Sequence, residues 1–184
     1  MRRLFLLVLA MITAACGSVA DSTPVGINLK AKSSEVRSGV IADEKGISTE
    51  SGNPYKVFID TAKARLGGRD PSSIKLSNMT LTLGAGTTGV TALSDVFSGQ
   101  VDVLFVVEDT NNTFPAGTFS GPSGTGPVGS SSIGFTFSQL GGLDRTNFLA
   151  GKFKVGIRGP ATAGFTARDA EAKLQVTFSF SAFE

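Results

Sequence analysis

A chain of 184 residues, 41% of them hydrophobic and 17% charged, has the material for one domain with a sizeable core and argues against wholesale disorder. Its formal charge is +2, but Arg2 and Arg3 fall in a leader, and removing them from the 17 basic side chains brings these level with the 15 acidic ones. A formally neutral mature chain offers no basic stripe to nucleic acid and no polybasic patch to anionic lipid, and the absence of His excludes Ser-His-Asp, Cys-His and His-bearing zinc sites.

The chain opens on Met1-Arg2-Arg3, followed by the apolar run Leu4-Phe5-Leu6-Leu7-Val8-Leu9-Ala10-Met11-Ile12 and then small residues, the three-part pattern of a secretory signal. The run is far short of the roughly 20 apolar residues that a membrane-crossing helix needs. Next comes Thr13-Ala14-Ala15-Cys16-Gly17, which holds the single cysteine of the chain. This segment resembles the lipobox of bacterial lipoproteins, with Thr13 where that family more often has Leu. The resemblance implies that residues 1–15 are removed as a signal peptide. It also implies that Cys16 becomes the first mature residue, carrying a diacylglyceryl thioether. Two or three acyl chains anchor a protein stably, at about 0.8 kcal/mol per buried methylene. In Gram-negative members a residue other than Asp after the cysteine, here Gly17, accompanies sorting to the outer membrane. The resemblance thus implies a lipid-anchored protein of the bacterial cell envelope, held at the outer membrane. The competing processing site is Ser18-Val19-Ala20, where cleavage after Ala20 would release a soluble chain without cysteine.

Residues 16–24 read as a short lipidated tether and 25–184 as a single domain. Residues 25–29 alternate with period two, as a strand with one buried face does, and 36–41 can form a second strand before a polar loop over 42–52. Asn53 can cap a helix that opens at Pro54. Tyr55, Phe58, Ile59, Ala62 and Leu66 recur at helical spacing, and Gly67-Gly68 stops it. The stripe predicts packing on one end of a sheet core; lying on a membrane surface is the alternative for this helix.

Strands follow at 74–76 and 79–83, and the apolar phase slips between Leu76 and Met79, which predicts a β-bulge or an added bend. Leu93, Val96 and Phe97 fit a helical turn. The nearly continuous apolar run 101–107 reads as a central strand, and 114–119 as another. The Gly/Pro/Ser-rich stretch 121–127 cannot hold regular structure and is expected to be the most mobile loop. Alternation returns at 133–137 and 153–158, separated by a short helical connection over 143–149. In the last strand Leu174, Val176, Phe178 and Phe180 point one way, and Lys173, Gln175, Thr177 and Ser179 the other.

About seven or eight short strands with glycine-rich turns predict an all-β fold, an antiparallel β-sandwich, with a closed β-barrel as the alternative. The helical connection before Phe153 resembles the crossover between sheets in immunoglobulin-like domains. That likeness is architectural, since Trp is absent, no disulfide can form and the one Tyr is misplaced for a tyrosine corner. The whole chain resembles uncharacterised bacterial lipoproteins with such a domain, a resemblance that implies no activity.

Candidate chemistry is sparse. Gly84-Ala85-Gly86-Thr87-Thr88-Gly89 matches a dinucleotide fingerprint by spacing but lacks the βαβ setting that gives it meaning, so it reads as a turn. Asp102 and Glu108 are the nearest thing to a carboxylate pair for glycoside hydrolysis. Glu108-Asp109-Thr110-Asn111-Asn112 clusters oxygen ligands suited to Ca²⁺, in a pattern that turns also favour. With no assigned catalytic, cofactor or metal residue, the expectation is a non-catalytic envelope protein whose sandwich serves binding, adhesion or assembly. Its expected partners are the membrane, through the lipid on Cys16, and a protein or glycan of the envelope, with no nucleic acid. A carboxylate-dependent hydrolase of envelope glycans and a calcium-dependent adhesion module are the alternatives.

Overall fold

The computed structural model describes residues 17–184, so the signal segment and Cys16 lie outside the described residues. The described chain begins with β1 (Ser18–Asp21) and β2 (Val25–Lys32), both antiparallel partners of the last strand in the chain. Next come β3 (Val40–Gly46), α1 (Pro54–Arg65), β4 (Ser73–Leu83) and α2 (Leu93–Val96). The centre of the chain supplies β5 (Val101–Val107), β6 (Thr113–Phe119), β7 (Val128–Gly129) and β8 (Ser132–Ile133). It closes with α3 (Gly142–Leu149), β9 (Phe153–Pro160), α4 (Ala163–Thr166) and β10 (Glu171–Phe183). The ten strands make two five-stranded antiparallel sheets, one of β1, β2, β10, β4 and β7, the other in the order β3-β9-β5-β6-β8. The inner faces of the two sheets share one apolar core, so the architecture is a β-sandwich and the closed barrel is not formed.

β10 organises the first sheet because its alternation is unbroken over 13 residues: Leu174, Val176, Phe178 and Phe180 are buried, and their neighbours face outward. Along one side it pairs with β4, and along the other with β2 over Glu171 to Phe178 and then with β1 over Ser181 to Phe183. The phase slip in β4 is a bulge. Leu76 pairs with Phe180 and Asn78 with Ser179, which leaves Ser77 as the extra residue and returns Met79 to the core. In the second sheet β5 lies between β9 and β6 with Val101, Val103, Phe105 and Val107 buried, the central position its composition predicts.

α1 follows its local signals. The side chain of Asn53, itself in the left-handed region at φ 38°, accepts from the backbone N–H of Lys56 at 3.1 Å, and Pro54 occupies the first turn. Gly67 and Gly68, at φ 64° and 89°, end it, and the Gly68 N–H donates to the Lys63 carbonyl. Its apolar stripe is buried against the sheets, so the surface-lying alternative does not describe this helix.

Four expectations are corrected. Residues 18–21, read as tether, form β1 and bury Ala20. The second strand runs over 40–46 rather than 36–41, and so takes in the first half of the expected polar loop. β3 is an edge strand whose pairing with β9 needs little apolar alternation beyond Ile41, and edges tolerate Asp, Glu and Lys. The alternation at 133–137 buries Phe135 and Phe137, yet strand pairing ends at Ile133, because β8 meets β6 for two residues before the chain turns at 137–139. Finally, α3 joins β8 to β9 within one sheet and is not a crossover between sheets; α1, α2 and α4 join strands of different sheets.

Where the sheets and helices meet, the core is aromatic. Tyr55 from α1 contacts Phe58, Phe148, Phe153 and Phe180 at centroid distances of 5.0–5.9 Å. Its hydroxyl is buried, has no hydrogen-bond partner among the described residues, and burial pushes its acidity well away from water, raising the pKa well above the usual phenol value. A buried polar group left unpartnered costs about 1–3 kcal/mol. Tyr55→Phe is therefore expected to keep the fold as stable or to raise its urea midpoint; a clear drop in midpoint would mean that the hydroxyl is satisfied.

Candidate binding groove

β2 pairs with β10 along one side only, so its outward N–H groups need other acceptors. Two carboxylates supply them. Asp43 of β3 accepts from the Lys30 N–H at 2.8 Å, and Glu50 accepts from the Asn28 N–H at 3.1 Å and from the Asn28 side-chain amide at 2.9 Å. Side chains anchored on the second sheet and its following loop thereby close the edge of the first, which protects it from strand addition. Glu50 also pairs with Lys45, and its side chain is only 10% exposed, so these charge-assisted bonds are poorly screened.

Burial pushes the Glu50 carboxyl up, but the bonds from Lys45 and Asn28 outweigh it and hold the group below the usual carboxylate range. A depressed folded pKa contributes stability above the unfolded value, roughly 4.3, that is lost as pH falls through the folded value. Glu50→Gln is expected to lower stability at neutral pH by about 1–3 kcal/mol and to flatten its decline in acid. Urea titrations across that pH range check both effects; an unchanged acid limb would rule out this carboxylate as the source.

Beside this seam, β2, β3, the N-terminal half of β10 and the turn at Gly84 and Ala85 enclose an open groove of about 710 Å³. Its walls carry Asn28, Lys30, Glu44, Lys45, Lys173 and Gln175. The Gln175 amide donates to the Asn28 side-chain oxygen at 3.4 Å; Lys173 pairs with Glu171, and Glu44 with Lys154 at 3.8 Å. The groove thus presents amides and mostly compensated charges, a surface suited to hydrogen-bonding a polar partner. The turn 84–89 forms one rim and continues the sheet rather than opening a helix. Gly84 N–H donates to the Lys173 carbonyl at 2.7 Å, and Thr88 bridges to Glu171.

Asp102 and Glu108 are not brought together. Asp102 is the second residue of β5 and Glu108 follows its last, and six strand steps separate them by about 20 Å, against the ~5–9.5 Å that paired glycosidase carboxylates need. Asp102 accepts from the Gln100 amide at 2.8 Å and lies across from Arg158. The oxygen-rich loop 108–112 is a hairpin with Asp109 and Asn111 in the left-handed region, and its polar groups lock it to α3. Asp144 accepts from the Thr110 hydroxyl at 2.5 Å and from the Asn112 amide at 2.9 Å. Asn147, buried at 3% exposure, donates to the Glu108 carbonyl at 2.8 Å and to the Asp109 carboxylate at 3.2 Å. Among the described residues no three His, Cys, Asp or Glu side chains gather as metal ligands.

The groove and its carboxylate seam went unseen in the sequence. Asp43 and Glu50 stand 13 and 22 residues from the N–H groups they cap, inside a stretch that reads as loop. The one available signal was the gathering of Asp43, Glu44 and Glu50 within that stretch. No family model, curated protein or solved structure matches this chain.

Proposed function

We propose that the mature protein is a non-catalytic, lipid-anchored component of the bacterial cell envelope, held at the outer membrane through Cys16. Its immunoglobulin-like β-sandwich binds a protein or glycan partner through the groove beside β2 and β3. The carrying observation is the position of the only cysteine, three small residues after the apolar run and two residues before β1. The competing processing site fits the fold poorly, since cleavage after Ala20 would cut β1 between a buried Ala20 and its neighbour Asp21, both paired to β10. Binding is supported by walls of amides and mostly paired ions, which offer hydrogen bonds to a polar partner.

Growth with labelled palmitate tests the anchor. Label is expected in the wild-type chain and absent from Cys16→Ser, and a mature chain starting at Asp21 would defeat the proposal. Crosslinking from groove positions in intact envelopes is expected to capture the partner, and capture is expected to fall in Lys30→Glu with Lys173→Glu.

A further inference from the structure

We infer that the β1 end of the sandwich is a membrane-docking surface that seats on the phosphate-bearing headgroups of the leaflet holding the Cys16 lipid; the inference rests on Cys16 acylation. Gly17 alone separates Cys16 from β1, and an extended residue spans at most about 3.6 Å. β1 is fastened to the body: Ser18, Ala20 and Asp21 pair with Phe183, Ala182 and Ser181, and the Arg65 guanidinium donates to the Val19 carbonyl at 2.6 Å. A lipid on Cys16 therefore holds this end of the domain against the bilayer with almost no slack.

Cations from separate parts of the chain meet at that end. Arg65 comes from α1, Lys75 from β4 opposite Ser181, and Arg145 from α3, where it donates to the Ser72 carbonyl at 2.9 Å. Among the described residues none of the three forms an ion pair within 4.0 Å; the two arginines donate to neutral carbonyls, and Arg145 also lies over the Phe137 ring at 4.9 Å, so no carboxylate neutralises them. Arg69 and Lys63 stand beside them, paired with Glu184 and Asp70, while Asp21 accepts from the Ser18 hydroxyl. The formally neutral chain thus concentrates positive charge where its anchor ends, the arrangement that anionic headgroups attract. The groove lies toward the other end of β10; from Ser181 to Lys173 the strand runs about 26 Å, so the groove opens away from the bilayer.

The test uses the full chain, processed and purified in detergent, then reconstituted into phosphatidylcholine vesicles with or without phosphatidylglycerol. With Cys16 acylated, a thiol-reactive fluorophore marks Ser72→Cys at the docking end or Ala85→Cys at the groove, and nitroxide-headgroup lipid quenches it. Quenching at position 72 is expected to exceed that at 85 several-fold. The difference should grow with phosphatidylglycerol and shrink in about 1 M salt, where screening reaches only ~3 Å. Arg65→Gln with Lys75→Gln and Arg145→Gln is expected to erase the phosphatidylglycerol effect, and the lysine versions of the two arginines to restore it. Vesicle-bound protein quenched alike with and without phosphatidylglycerol overturns the docking surface while leaving the anchor standing. Protein that fails to float with either vesicle overturns the anchor and the docking surface together. Because the comparison of vesicles uses the native charges, a variant that misfolds does not decide the matter.

Discussion

Phe105→Ala is expected to lower the stability of the fold by about 3–5 kcal/mol, the range for removing a fully buried aromatic ring. Phe105 projects from the central strand of one sheet and meets Phe178 at 5.5 Å and Phe180 at 6.3 Å, both on the central strand of the other. It also touches Phe153 of the adjacent strand at 5.3 Å, Phe148 of α3 at 5.5 Å and Phe135 at 5.2 Å. Among the described aromatic residues no other ring joins both sheets, α3 and the segment after β8 in this way, so truncation leaves a cavity that four elements border. The walls close it poorly, since four of the five rings are held by a strand or helix backbone. A domain of this size is stable by about 5–15 kcal/mol, so the loss consumes much of the margin. The melting temperature is expected to fall by roughly 6–20 °C at about 2–4 °C per kcal/mol. Phe105→Leu, which keeps most of the volume, should recover over half of the loss. If alanine costs under about 1.5 kcal/mol, the figure for well-tolerated swaps, the ring is not the keystone it is taken to be.

The parts of the fold that were legible carry their own signal along the chain. β10 and β9 each have one face that must be buried, and period-two alternation states which face without reference to a partner, while β5 declares its central place by a nearly continuous apolar run. α1 has both caps and its stripe within a single run of residues. Even the bulge at Ser77 was visible, because a slip of one residue would otherwise turn Met79, Leu81 and Leu83 to the wrong side. What stayed hidden depends on distant partners. β1 is built of small residues and is a strand only because β10 is long enough to pair with β2 and β1 in succession. β3 lies at an edge and bears charges that read as loop, and its Asp43 acts on an N–H 13 residues away. Charge was misleading in the same manner. A balanced total carries no information about where Arg65, Lys75 and Arg145 meet, since their placement follows from helix docking and strand register. The site therefore resisted prediction more than the fold did, because folds are written in local periodicity and this site in contacts between elements.

Gly117→Ala is expected to be as damaging as the loss of the aromatic hub, for the opposite reason. A Cβ built at Gly117 would lie 2.2 Å from the Ser132 carbonyl oxygen and 2.6 Å from the Met79 methyl group, with the Ile133 Cα at 3.2 Å. Met79 ends in a flexible thioether and can swing aside. The Ser132 oxygen cannot, because it belongs to the two-residue ladder in which Gly117 pairs with Ile133 and Thr118 with Ser132. That ladder is short, so the least costly relief is to give it up. The segment 120–135 then detaches from β6, and Phe135 loses its seat 4.9 Å from Phe148 and 5.2 Å from Phe105. Overpacking alone costs about 1–3 kcal/mol, and the unseated ring adds to it, so a loss of about 3 kcal/mol or more is expected. Gly117→Val, with two further methyl groups, should leave little folded protein. Hydrogen exchange offers the specific readout: amides of 130–134 should lose protection in Gly117→Ala while those of β10 keep theirs relative to global stability. Gly129→Ala, in β7 with open space where its Cβ would go, is the matched control and should be neutral or slightly stabilising. Equal tolerance of the two substitutions would mean that β8 does not approach β6 as closely as Gly117 permits.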